Sequence, residues 1–84
     1  MTWVKLCGLR TRADVEAAEA AGADAVGFVV TPGSPRSISP GEARRAGEGT
    51  AVERFVLTVG LGPDEVLEVA AAAGATGVQP YGER

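Results

Sequence analysis

Histidine is missing from these 84 residues, and cysteine occurs once. With no imidazole and a single thiol, the donor set of a zinc or iron–sulfur centre is not there, so no metal site is expected. A lone cysteine also excludes an internal disulfide framework and suits a reducing compartment, so a cytoplasmic location is expected. Aromatic residues are scarce as well: Trp3, Phe28, Phe55 and Tyr81 are all of them. The core must therefore be assembled from valine, leucine and many alanines, and it will be thin. No apolar run is long enough to span a membrane, and charge arrives too early at the N-terminus for a signal peptide. Eight basic against 11 acidic residues leave a net charge of −3, which speaks against nucleic acid as the main partner.

What is present is a run of short strand and helix patterns. Hydrophobic residues make up 45% of the chain and charged residues 23%, a globular balance, and the length suits one small domain or a piece of a larger one. A β-prone run, Trp3 to Cys7, opens the chain, and Gly8 lets the backbone turn out of it. If that strand alternates, Trp3, Lys5 and Cys7 share one face and Val4 and Leu6 the other. Thr11 with Asp14 three residues on forms a capping box for a helix over Arg12–Ala21, closed by Gly22. Ala25–Val30 is apolar on both alternations, which marks a parallel strand covered on both faces. Pro32-Gly33-Ser34-Pro35 then makes a stiff bend leading to Arg36.

Ser39-Pro40-Gly41-Glu42 is the clearest helix start in the chain, although Gly47 and Gly49 cut that helix short. A third strand is predicted over Arg54–Val59. Pro63-Asp64-Glu65 opens a helix through Ala73 that ends at Gly74, with acidic residues in the first turn where the dipole favours them. A fourth strand is predicted over Thr76–Gln79, stopped by Pro80. The segment Ala21-Gly22-Ala23-Asp24-Ala25-Val26-Gly27 recurs loosely as Ala73-Gly74-Ala75-Thr76-Gly77-Val78-Gln79. The order β-α-β-α-β-α-β, in two related pairs, predicts an α/β fold of parallel βα units over residues 1–84 with all helices on one side of the sheet. A closed (βα)8 barrel needs about 200–250 residues, so this is half of a TIM barrel, a single half-barrel domain.

Cys7 sits where a strand ends and a βα loop begins, the rim on which such architectures place their chemistry. Taken alone, it reads more naturally as a small buried hydrophobe. Arg36, presented by a stiff loop, is either a solvated cation or a ligand for an anion. Lys5 falls on the Cys7 face and is expected to lie inside the barrel, at its mouth or its bottom, against an acidic partner. Tyr81 is a packing residue or a ligand. The acidic residues of the helices read as solvated faces. Gly60 and Gly62 form no phosphate-loop or dinucleotide fingerprint.

Taken together, Val4-Lys5-Leu6-Cys7-Gly8-Leu9, then Ala21-Gly22-Ala23-Asp24-Ala25-Val26-Gly27-Phe28-Val29, then Ser34-Pro35-Arg36-Ser37-Ile38-Ser39-Pro40 resemble the N-terminal half of phosphoribosylanthranilate isomerase. That (βα)8-barrel family of tryptophan biosynthesis carries out an Amadori rearrangement. The ribosylamine ring opens to an imine, and loss of the proton on the sugar's second carbon gives an enolamine that becomes an amino-ketone. The resemblance implies that Cys7 is the general base, a thiol being an acid whose thiolate forms within reach of neutral pH. It implies that Arg36 holds the anthranilate end of the substrate, a role for which a guanidinium fork suits a carboxylate. Gln79 matches the family's Gln-Leu-His-Gly run after the fourth strand, with Tyr81 where the histidine stands. Both are taken as substrate-binding. The family's acid, at the end of its fifth strand, and its phosphate site, after the seventh and eighth, fall outside this chain.

The expected small-molecule partner is thus a phosphosugar anthranilate, and acid–base chemistry on a sugar imine calls for no cofactor. A half-barrel leaves its interior face and two sheet edges uncovered. The chain is therefore expected either to complete an isomerase with a complementary half-barrel or to be an inactive module that self-associates.

Overall fold

A computed structural model describes residues 3–31 and 34–81, with Tyr81 described for its backbone only. The elements follow in the predicted alternation: β1 (Lys5–Cys7), α1 (Arg12–Ala20), β2 (Ala25–Val29), α2 (Pro40–Gly47), β3 (Glu53–Val59), α3 (Pro63–Ala73) and β4 (Gly77–Tyr81). All strand pairs are parallel, in the spatial order β1-β2-β3-β4.

Local chemistry sets the helix ends. The Thr11 side chain accepts from the Asp14 N–H at 3.1 Å, and the Asp14 carboxylate accepts from the N–H groups of Arg10 and Thr11 at 2.9 and 3.2 Å. Ser39 and Glu42 repeat the box on α2, at 3.1 and 2.8 Å. Both carboxyls are held below their ordinary range, chiefly by backbone N–H donors, that of Arg10 for Asp14 and that of Ser39 for Glu42. Gly74 takes the left-handed conformation that ends α3, with φ 66°.

The two outer strands depart most from expectation. Pro80 does not stop β4: it pairs with Thr58 inside the ladder, and the strand runs on to Tyr81. Here β4 is an edge strand, and an edge is where a ladder tolerates a residue without an N–H to give. At the other end of the sheet, β1 begins two residues later than predicted, at Lys5. Pro32 and Gly33, the first half of the expected stiff bend, lie outside the described residues. Its second half is braced from within, since Thr31 N–H donates to Ser37 Oγ at 2.9 Å and Ile38 N–H to the Val29 carbonyl at 2.9 Å.

Register divides the side chains between two faces. Val26, Phe28, Val30 and Val56 point to the helices and are buried with Val15, Ala18, Ala43, Ala46 and Ala73. Phe28 is the largest side chain in this layer, so the helices approach closely through alanine, and the core is as thin as the composition requires. Thr58 is the polar exception, fully buried, with no hydrogen-bond partner for its Oγ1 among the described residues. The other face carries Lys5, Cys7, Gly27, Val29, Phe55, Leu57 and Gln79, and no helix among the described residues covers it. In a closed barrel this would be the interior.

Candidate active site

Because the four strands run parallel, their C-terminal ends form one rim. Cys7 ends β1 there, with its side chain exposed. Its sulfur leans across β2 over Gly27, where an added Cβ would stand only 3.2 Å from Sγ and 2.9 Å from Leu57 Cδ1. Gly8 follows at φ 81°, and the N–H groups of Gly8 and Leu9 both donate to the Gly27 carbonyl, at 3.0 and 3.2 Å. That pair of bonds pins the turn to β2 and holds the thiol at the lip.

Arg36 comes to the same lip. Its guanidinium lies across Gly8, so close that a Cβ at Gly8 would stand 2.9 Å from Nη1 and 3.5 Å from Cδ. Gly8 thus serves twice, supplying a left-handed turn and clearing the space the arginine occupies. The loop that carries Arg36 folds on itself, its N–H donating to Ser34 Oγ at 3.3 Å. A thiol and a guanidinium on one open rim can take a proton and hold an anion.

Gln79 lies on the inner face of β4, where its Oε1 accepts from Lys5 Nζ. The Lys5 ammonium also stands 4.8 Å from the centre of the Phe55 ring, and Trp3 meets that ring edge-on at 6.4 Å and 87°. The acidic partner expected for Lys5 is replaced by an amide and an aromatic face. Among the described residues the ion pair is Arg12–Glu16, on the surface of α1. The Tyr81 backbone pairs with Val59 at the rim, while its side chain lies outside the described residues. The structure therefore brings Arg36 over Gly8, the residue after Cys7, and Gln79 against Lys5 on the inner face.

Sequence reasoning missed Phe55 and the two bare strand positions, Gly27 and Gly77, that make room on this face. The available signal was glycine in the middle of otherwise β-prone strands, which marks close approach of a neighbour. The opposite end of the sheet has a groove of about 250 Å³, but its cations are engaged with backbone. Arg44 donates to the Ala71 carbonyl and Arg54 to those of Gly74, Thr50 and Val52, which satisfies the last turn of α3 and the loop before β3. Among the described residues no group of three or more His, Cys, Asp or Glu could hold a metal ion, and no helix is long and apolar enough to cross a membrane.

Parallel βα units with an uncovered inner face, and reactive groups at the C-terminal rim, define a portion of a (βα)8 barrel. No protein-family model matches the chain. Its relatives are specific nonetheless. The N-(5'-phosphoribosyl)anthranilate isomerase of Chromohalobacter salexigens is 53% identical over 64 residues, 76% of this chain and 29% of the relative. A structure of monomers generated from the dimeric phosphoribosylanthranilate isomerase of Thermotoga maritima superposes with a TM-score of 0.93 at 40% identity, over all of this chain and 43% of its own. A phosphoribosylanthranilate isomerase bound to reduced 1-(o-carboxyphenylamino)-1-deoxyribulose 5-phosphate matches equally well, with a TM-score of 0.92 at 40% identity, over 100% of this chain and 44% of its own. The chain belongs to the phosphoribosylanthranilate isomerase family, and it spans less than half the length of these relatives.

Proposed function

We propose that this chain supplies the β1–β4 part of a phosphoribosylanthranilate isomerase and is active only when the rest of the barrel is present. Cys7, as thiolate, takes the proton from the second carbon of the ring-opened imine. The electron pair left behind runs into the C–N unit and gives the enolamine. Arg36 grips the anthranilate carboxylate, with Gln79 and Tyr81 contacting the substrate. The acid that protonates the ring oxygen, and the phosphate site, come from the parts of the family's barrel that these residues do not span. The observation that carries this reading is the placement of the Arg36 guanidinium across Gly8, the residue that follows Cys7 at the end of β1. The solved relative that holds a reduced product analogue, over the full length of this chain, supports it.

Two partners would cover the open edges: a second copy or a complementary portion. Exposed hydrophobics stand at the two open edges of the described sheet. Val4 and Leu6 are 41% and 39% exposed on the outer side of β1, and Leu67 and Val78 are 66% and 36% exposed beside β4. Next to β4 an apolar groove of about 380 Å³ runs between Leu61, Pro63, Val66, Leu67 and Pro80.

The test is to mix the chain with the remaining βα units of the Thermotoga maritima relative and assay isomerase turnover. Activity is expected in the mixture, not in either part, and Cys7→Ala should abolish it. A stably assembled mixture in which the Cys7→Ala variant turns over as fast as the parent would refute the assignment of the base. Sedimentation of the chain alone as a closed, non-exchanging dimer would favour the self-associating module instead.

A further inference from the structure

β2 ends at Val29, opposite Leu57, while β3 runs on to Val59. The Val30 N–H still donates to the Leu57 carbonyl at 3.0 Å, as a main-chain rung. Were the ladder to continue, the next donor on β3, the Val59 N–H, would meet a carbonyl of β2. It meets a side chain instead. The Thr31 hydroxyl accepts from the Val59 N–H at 3.2 Å and donates to the Leu57 carbonyl at 3.3 Å. That hydroxyl takes the place of a further rung and leaves the main chain of Thr31 free to turn away. The main chain is fastened in the other direction. Its N–H donates to Ser37 Oγ at 2.9 Å, and its carbonyl accepts from the Ser34 N–H at 3.3 Å. Ser34 continues the relay, its Oγ accepting from the Arg36 N–H at 3.3 Å and its carbonyl from the Ser37 N–H at 3.0 Å. One half-buried threonine thus ties the end of β3 to the segment whose exposed arginine reaches Gly8, at the end of β1.

We infer that Thr31 is a positioning residue, whose hydroxyl anchors the Arg36 segment to β3 so that the guanidinium rests over Gly8. Its kinetic consequence rests on the isomerase reading, in which Arg36 holds the anthranilate carboxylate. A long side chain on an exposed segment costs entropy to hold in one place. A backbone fixed at Ser34 and Ser37 sets the point from which that side chain starts. Without the hydroxyl, the Val59 N–H loses its acceptor and the tether to β3 is gone. The segment is then held to the sheet through the Ile38 N–H on the Val29 carbonyl, at 2.9 Å, past the arginine. The Arg36 arm ranges more widely, and ordering it around the carboxylate takes more of the binding energy. The carboxylate is remote from the carbon that loses its proton, so the loss falls on binding and not on the chemical step.

Two measurements test this. In spectra of the isolated chain, a nuclear Overhauser contact is expected between the δ protons of Arg36 and the α protons of Gly8. It should weaken in Thr31→Val, which keeps the branched shape and loses the hydroxyl, and persist in Thr31→Ser, which keeps the hydroxyl. In the completed barrel, Thr31→Val should raise KM about fivefold while kcat changes by less than about twofold. Thr31→Ser should stay close to the parent, and Thr31→Val combined with Arg36→Ala should be no worse than Arg36→Ala alone. An undiminished Arg36–Gly8 contact in Thr31→Val, an unchanged KM, or additive losses in the double variant would each overturn the inference. Should Thr31→Val fail to fold, Ser37→Ala breaks the same relay at the Thr31 N–H, and an undiminished contact there overturns it equally. If the completed parent barrel shows no turnover, the isomerase reading falls. The Arg36–Gly8 contact then decides by itself whether Thr31 places the arm.

Discussion

Replacing Gly77 by alanine would drive a methyl group into the Phe55 ring, with the new Cβ 2.6, 2.9 and 3.2 Å from Cε2, Cδ2 and Cζ. A ring cannot yield as a flexible chain end does, so the whole side chain must move. Two effects oppose each other. Alanine in place of glycine inside a strand recovers about 0.5–1 kcal/mol of backbone entropy. Against that, overpacking costs about 1–3 kcal/mol. Displacing the ring also gives up its edge-on contact with Trp3, worth about 0.5–1.5 kcal/mol, and the Lys5 contact, worth about 0.5–1 kcal/mol at a partly exposed site. The clash wins by about 3 kcal/mol. For a chain this small, with a urea slope of about 1 kcal/mol per molar, the unfolding midpoint should fall by about 3 M. Trp3 is the only tryptophan, so its fluorescence reports the ring's departure directly. In a Phe55→Leu background, where a branched end can give way, the same substitution should cost little or stabilise. Gly77→Ala as stable as the parent, with unchanged Trp3 emission, would refute the packing argument.

Two further perturbations probe the rim and the caps. Gly8→Ala forces a side chain into a left-handed turn, at about 1–2 kcal/mol of stability, and pushes the Arg36 arm aside. In the completed barrel it should raise KM, and Arg36→Ala should add little on top; fully additive losses would show that Gly8 does not act through Arg36. The carboxyls of Asp14 and Glu42 hold their protons less tightly in the folded chain than at their ordinary values of 3.8 and 4.5. Their stabilisation is therefore complete above those values and disappears as pH falls through the lower, folded ones. Asp14→Asn with Glu42→Gln should lower the urea midpoint near neutral pH and flatten its decline below about pH 4.5. A pH profile parallel to that of the parent would contradict the capping account.

Much of this fold could be read along the chain because its helix ends are local events. A capping box needs a hydroxyl, a carboxylate three residues on and nothing else, so Thr11 with Asp14 and Ser39 with Glu42 announce themselves. The doubly apolar strand Ala25–Val29 likewise declares a sheet covered on both faces when the barrel is closed. Pro80 misled because its local meaning, a strand stop, holds only away from an edge. Whether β4 is an edge depends on what lies beyond it.

The order of elements, their caps and the family likeness of the run from Val4 to Pro40 are legible along the chain alone. Those follow from patterns spanning a few residues, or from likeness. That Arg36 lies across Gly8, that Phe55 fills the hollow at Gly77, and that Lys5 finds an amide rather than an acid are matters of packing between distant segments. Each of these joins residues on different strands or loops. Which side chains meet there is set by the register of the sheet and by the room that a missing Cβ leaves, and neither is encoded at any one position of the chain.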